Sequence, residues 1–155
     1  MQKKICRLGK SEITEFHELV KNVYGEFVSP DYSEEGNRTF YSYIDPLEIG
    51  KRLEAGNWFY ACKSGGKIVG ALEVRNKNHI SLLFVDKRHQ KQGISEALLE
   101  RYFDDLKKEE AGVGFIEVNS SPYAKIIYKN LGFYEASDLQ EKNGIKFYYM
   151  KMDLE

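Results

Sequence analysis

Between residues 85 and 99 the chain reads Val-Asp-Lys-Arg-His-Gln-Lys-Gln-Gly-Ile-Ser-Glu-Ala-Leu-Leu, the end of a strand running through a glycine-containing loop into a helix. A helix start leaves its first backbone N–H groups without partners and carries the positive end of the helix dipole, so such a turn favours a phosphate or pyrophosphate. Gly93 lets an anion approach the backbone closely. The same residues also read as an ordinary helix start that happens to contain a glycine. No Gly-x-x-x-x-Gly-Lys-Ser/Thr occurs, and Gly112-x-Gly114 precedes a strand rather than a helix, so neither a Walker loop nor a dinucleotide fingerprint is present. His17, His79, His89, Cys6 and Cys62 show no ligand spacing, and no metal is expected.

The elements that must position this loop can be read from periodicity and punctuation. A short strand at 4–8 precedes a helix that Ser11 can cap, with Ile13, Phe16, Val20, Val23, Tyr24 and Phe27 on one face. The segment 29–43 is aromatic and irregular. Asp45-Pro46-Leu47-Glu48 then supplies a cap, a first-turn proline and a first-turn acid for a helix ending at Gly56. Strands at 58–63, 67–75 and 79–85, joined by Ser64-Gly65-Gly66 and Asn76-Lys77-Asn78, form an antiparallel meander. Beyond the loop, Ile94, Leu98, Tyr102 and Leu106 repeat every four residues on a long helix, and 114–119 is an apolar strand. Strand, helix, strand implies parallel pairing through a right-handed crossover. A last helix at 122–131, capped by Ser121 and stopped by Gly132, leads to strands at 133–136 and 145–154 joined through Asn143-Gly144. The fold class is α/β or α+β around a mixed sheet.

The chain has 155 residues, enough for one domain over 1–155 with no repeat or flexible linker. Its 42% hydrophobic and 30% charged residues describe a soluble globular protein. With 23 basic against 24 acidic residues the formal net charge is -1, which leaves no excess positive charge for a nucleic-acid backbone. Two unpaired cysteines, no apolar stretch long enough for a bilayer and no secretory core in residues 1–10 predict a cytoplasmic protein without membrane partners. Exposed edge strands make a homodimer plausible.

Two blocks give the sequence its resemblance to the GNAT superfamily of acetyl-CoA-dependent N-acetyltransferases. The first, Gln90-x-x-Gly93-x-Ser95 after Leu82-Leu83-Phe84-Val85, resembles the family's pyrophosphate loop, with Ser95 in place of the usual Gly or Ala. The second, Asn119-Ser120-Ser121-Pro122-Tyr123-Ala124 followed by Tyr128 and Leu131-Gly132-Phe133, resembles its later strand, helix and Gly-Phe motif. The likeness covers about residues 56–153. Residues 1–55 match only as helices that vary with the acceptor.

The resemblance implies a mostly antiparallel sheet of six to seven strands with four to five helices. It further implies that the backbone of Phe84 and Val85 pairs with the pantetheine arm of acetyl-CoA, and that the amides of Lys91, Gln92, Gly93, Ile94, Ser95 and Glu96 hold its pyrophosphate. Asn119 and Ser121 are further candidates for contacts to the pantetheine or adenosine side. Tyr128 resembles the tyrosine that acts as general acid toward the CoA sulfur, and a core aromatic is its plainer role. His79 is the candidate base, since an imidazole titrates in the useful range. Glu73 is its rival, although a solvated face is the blander reading. The implied reaction is direct acetyl transfer to a primary amine of a small molecule, peptide or protein. The alternatives are a non-catalytic acyl-CoA-binding domain and an acyltransferase using another acyl-CoA.

Overall fold

The computed structural model describes residues 2–154. Strand β1 (Lys3–Arg7) leads through a 3-10 turn at Lys10–Glu12 into α1 (Ile13–Phe27). Ser11 lies inside that turn and does not cap α1. Glu12 takes the N-cap position instead, and its carboxylate accepts from the Gly9 amide at 2.8 Å. The segment read as irregular holds a second helix, α2 (Glu34–Tyr43), whose N-cap Ser33 accepts from the Gly36 amide at 3.1 Å. Gly36, Asn37 and Thr39 are weak helix formers, so α2 exists through packing rather than propensity. Phe40 stacks on Tyr24 of α1 with ring centroids 3.7 Å apart, and Tyr24 Oη donates to Asn37 at 2.7 Å. Helix α3 (Pro46–Glu54) forms as its signals predict, with the Asp45 carboxylate accepting from Leu47 N at 2.9 Å.

The expected meander follows as β2 (Trp58–Ser64), β3 (Lys67–Arg75) and β4 (His79–Val85). Then come α4 (Ile94–Lys108), β5 (Phe115–Ser120), α5 (Lys125–Asn130), β6 (Tyr134–Glu135), β7 (Gln140–Lys142) and β8 (Ile145–Asp153). The eight strands run β1-β2-β3-β4-β5-β8-β6, with β7 paired to β8. The sheet has one strand more than expected because Asn143-Gly144 joins β8 to the short β7, not to β6. Asn143 (φ 53°) and Gly144 (φ 79°) both take the left-handed conformation that a tight hairpin turn needs.

Every pairing is antiparallel except β4 with β5, which is parallel and matched only at His79 with Glu117 and Ile80 with Val118. Past these residues the two strands part, and the sheet opens as a wedge. Apolar cores cover both faces. Trp58, Tyr60, Leu72, Ile80 and Ile116 pack under α4 and α5, while Phe59, Ala61, Ala71 and Leu82 pack under α1 and α3. The α4 stripe of Ile94, Leu98, Tyr102 and Leu106 is buried, each side chain contributing roughly 1.5–3 kcal/mol. Gly70 of β3 lets the helix come this close: a β-carbon there would lie 2.7 Å from Ile94 Cγ2. The first turn of α4 is thereby pressed against the sheet beside the open end of β4.

Candidate functional site

The loop between β4 and α4 is pinned by its own polar side chains. Asp86 accepts from the Arg88 amide at 3.2 Å and from His89 Nδ1 at 2.9 Å. Burial works against ionisation of Asp86, yet these hydrogen bonds hold it below the usual carboxylate value. Gln90 Nε2 donates to the Val85 carbonyl at 3.1 Å, folding the loop back onto the strand end. That carbonyl is therefore engaged already, and the unpaired backbone offered to a ligand is the rest of the β4 edge beyond Ile80. Lys91 (φ 63°) and Gly93 (φ 77°) take left-handed conformations, and Gly93 is the N-cap of α4. The first bond of the helix runs from Ala97 N to Gly93 O, so the amides of Ile94, Ser95 and Glu96 precede the intrahelical ladder. A β-carbon on Gly93 would meet nothing within 4 Å, which shows the open space in front of these amides.

A cavity of about 730 Å³ runs from this loop through the wedge to α1, α2 and the β7–β8 turn. Its size is that of a small-molecule site. Of the residues singled out in the sequence, Phe84, Val85, Gln90, Lys91, Gly93, Ile94, Ser95, Glu96, Asn119, Ser121, Tyr128 and His79 line it. Gln92 does not: its side chain turns to the Arg88 carbonyl at 3.4 Å. Lys87 is paired with Glu26 of α1 at 2.7 Å. Ser121 caps as expected, accepting from Ala124 N at 3.1 Å, although the regular helix starts only at Lys125.

Tyr128 is 5% exposed and packs edge-on against Phe133, with centroids 5.4 Å apart. No protein hydrogen bond is made by its hydroxyl among the described residues, and burial holds the phenol well above the ordinary tyrosine value. At neutral pH it is protonated and free to donate.

His79, 6% exposed, bonds Glu117 of β5 through Nδ1 and meets Arg75 Nη2 at 3.2 Å through Nε2. A guanidinium can only donate, so Nε2 is the acceptor nitrogen and Nδ1 carries the proton given to Glu117. Tyr149 Oη donates to the other Glu117 oxygen at 2.8 Å. Burial pulls His79 below the ordinary imidazole value against the hydrogen bond to Glu117, and the Arg75 charge adds to the lowering. Glu117 is penalised by burial but is held below the usual carboxylate value by His79 and Tyr149. The result is a neutral imidazole on the cavity wall, oriented by a carboxylate, whose acceptor nitrogen takes a hydrogen bond from Arg75. Glu117 and Tyr149 were not anticipated. The signal for Glu117 was a lone carboxylate between Ile116 and Val118 in an apolar strand, but its partner lies 38 residues away and is set by the β4–β5 register.

Glu73 does not belong to this group, nor is it solvated. It is fully buried on the same face of the sheet but further along toward α3, bound by Arg52 through Nε at 2.7 Å and Nη2 at 3.1 Å, and by Asn57 at 2.9 Å. Arg52 also lies 3.7 Å over the Tyr43 ring and donates to the Tyr43 carbonyl, so this ion pair ties α3 and the end of α2 to the sheet. Glu73→Ala strands that guanidinium, and we expect a loss of about 3 kcal/mol, a Tm lower by on the order of 10 °C in calorimetry. Lost turnover at an unchanged Tm would instead mark Glu73 as a chemical group.

The parted parallel pair opens beside the N-terminus of α4, with a phenol and an imidazole on the walls of one cavity. Residues 28–154 match the family model described as an acetyltransferase (GNAT) domain, and the chain belongs to that family. Over 54 residues it is 43% identical to the ribosomal protein bS18-alanine N-acetyltransferase of Escherichia coli strain K12, a stretch covering 34% of this chain and 36% of that enzyme. The match thus spans about a third of the curated relative's length. The fold is similar to a GCN5-related N-acetyltransferase of Rhodopseudomonas palustris, with TM-score 0.82, 17% identity and coverage of 99% and 97% of the two chains. It is also similar to the PaiA N-acetyltransferase of Thermoplasma acidophilum, solved in complex with coenzyme A, with TM-score 0.77, 15% identity and coverage of 99% and 100%. Among the described residues no helix is long and apolar enough to cross a membrane.

Proposed function

We propose that the protein moves an acetyl group from acetyl-CoA directly to a primary amine. The observation that carries this reading is the parting of β4 from β5 beside the open N-terminus of α4, with Tyr128 and His79 on the same cavity. The β4 edge that β5 leaves unpaired up to Phe84 and the Val85 amide suits the amide groups of a pantetheine arm as an added strand would, the Val85 carbonyl being held by Gln90. The amides from Lys91 to Glu96 suit a pyrophosphate, because the α4 dipole and the unpaired N–H groups favour an anion there. Asn119 and Ser121 border the same channel on the β5 side. The coenzyme A complex of the T. acidophilum neighbour supports a donor of this class, and the E. coli relative's action on an alanine amine supports the acceptor class.

Each residue then has a defined task. The donor supplies the acetyl group as a thioester. Once the hydrogen bond from Arg75 yields to substrate, His79 Nε2 takes the proton that the amine nitrogen loses as its bond to the acetyl carbon forms, and Glu117 orients the ring and stabilises the resulting imidazolium. Tyr128 gives its proton to the sulfur as the carbon–sulfur bond breaks, leaving an N-acetyl amine and a free thiol.

The test is calorimetric titration with acetyl-CoA, followed by an amine screen read by thiol release. Saturable binding and amine-dependent thiol release are expected. A folded protein that binds no acetyl-CoA would share only the fold. The electrostatics of His79 add a pH prediction. Protonation disables the base, so kcat at saturating amine falls as the pH drops through a value below the ordinary imidazole range. Glu117→Gln removes the hydrogen-bonded carboxylate that opposes this lowering, so the acidic limb moves to still lower pH while kcat falls. A limb that survives unchanged in His79→Ala would clear His79.

A further inference from the structure

On the acetyl-transfer reading above, we infer that the acceptor is a free α-amino acid with an apolar or aromatic side chain, its carboxylate held by Arg75, Ser81 and Lys142 and its amine set against His79. Charge is the first observation. Glu96 is the one carboxylate on the cavity wall among the described residues, and it stands in the first turn of α4 at the donor end. At the end bounded by α1, α2 and the β7–β8 turn, the charged wall residues are Arg75 and Lys142. Neither is ion-paired among the described residues, and the one hydrogen bond of the Arg75 side chain is to His79. Glu117 lies off the wall with both oxygens engaged by His79 and Tyr149. A polyamine or amino sugar would bring several cations to a site that answers none of them, whereas a carboxylate meets two free cations.

Geometry narrows the class. Arg75 Nη2 and His79 Nε2 are 3.2 Å apart, and in an α-amino acid one carbon separates the amine from the carboxylate. A ligand carboxylate that draws the Arg75 guanidinium onto itself releases Nε2 from this hydrogen bond and brings the amine one carbon away to that nitrogen. Ser81 Oγ, on β4 with His79, is buried, has the Tyr43 hydroxyl beside it but no short hydrogen bond, and borders the cavity, so it supplies a further donor. In a peptide N-terminus the carboxylate is replaced by a neutral amide, which wastes both cations. The remaining walls at this end, Phe40, Tyr43 and Phe147, suit an apolar side chain. The products are the N-acetyl amino acid and free coenzyme A thiol.

The experiment first titrates acetyl-CoA, which tests the donor reading alone, and then compares L-phenylalanine, L-phenylalaninamide, spermidine and kanamycin by thiol release. We expect kcat/KM for the acid to exceed that for the amide and both polycations by about a hundredfold. Arg75→Gln should remove most of that advantage, read as the ratio of KM for the acid to KM for the amide within the variant, because Arg75 also bonds His79 and its loss changes turnover of both substrates alike. Arg75 is exposed and free of ion pairs, so the variant should fold. Acetyl-CoA turnover that prefers spermidine, kanamycin or the amide overturns the acceptor assignment and leaves the donor reading standing. If no amine is acetylated, binding to the coenzyme A-saturated protein decides: equal or absent binding of N-acetyl-L-phenylalanine and its amide overturns the assignment. No binding of acetyl-CoA overturns both readings.

Discussion

Tyr128→Phe is expected to lower kcat by about a hundredfold or more while leaving the KM for acetyl-CoA within about threefold. A positioned general acid contributes roughly 10²–10⁴ in rate, and the phenol on this cavity wall is protonated, buried and without a protein partner among the described residues. The substitution is unusually clean. Phenylalanine keeps the edge-on contact with Phe133, and no protein acceptor loses a hydrogen bond. A Tm within about 2 °C of wild type should accompany the loss, since no cavity and no orphaned polar group are created. Unchanged turnover would reduce Tyr128 to the packing role that its neighbours on α5 also serve.

Gly93→Asp should weaken acetyl-CoA binding by about a hundredfold in calorimetry without unfolding the protein. The new side chain enters open space, and aspartate is a favoured N-cap that would accept from the first-turn amides of α4. The left-handed conformation at Gly93 costs a non-glycine residue roughly 1 kcal/mol, which the cap offsets. The damage falls on the ligand: the carboxylate occupies the amides and repels a pyrophosphate. Gly93→Asn separates the two effects, because it is the same size and caps as well but carries no charge. An intermediate loss is expected. Equal affinity in all three proteins would place the donor's phosphates elsewhere.

These variants could be chosen from the sequence, because their signals are local. A strand end, a glycine and a helical stripe within fifteen residues locate an anion site, and helix caps and turn glycines mark most element boundaries. Three features were less legible. Ser11 looked like a cap, but Gly9 and Glu12 close a tighter turn before it can act. Helix α2 lacked propensity and is held by the Tyr24–Phe40 stack across thirteen to sixteen residues of chain. Strand β7 has only three residues, all exposed, and exists by pairing with β8.

By itself, the sequence determined the order of the elements other than α2 and β7, the glycine loop proposed for the donor and the candidate acid on α5, since each rests on contacts between residues near one another in the chain. Only the tertiary structure decided what the acidic and basic side chains do. Glu73 and His79 sit six positions apart and both looked like bases, yet on one face of the sheet α3 covers the first with Arg52 and leaves the second on the cavity wall. The two-residue match of β4 with β5 sets Glu117 behind His79, and the fold of β7–β8 onto α2 brings Lys142 to the end of the cavity that holds Arg75. Side-chain partnership across a sheet depends on register and on where strands part, and neither is written in the periodicity of any single strand.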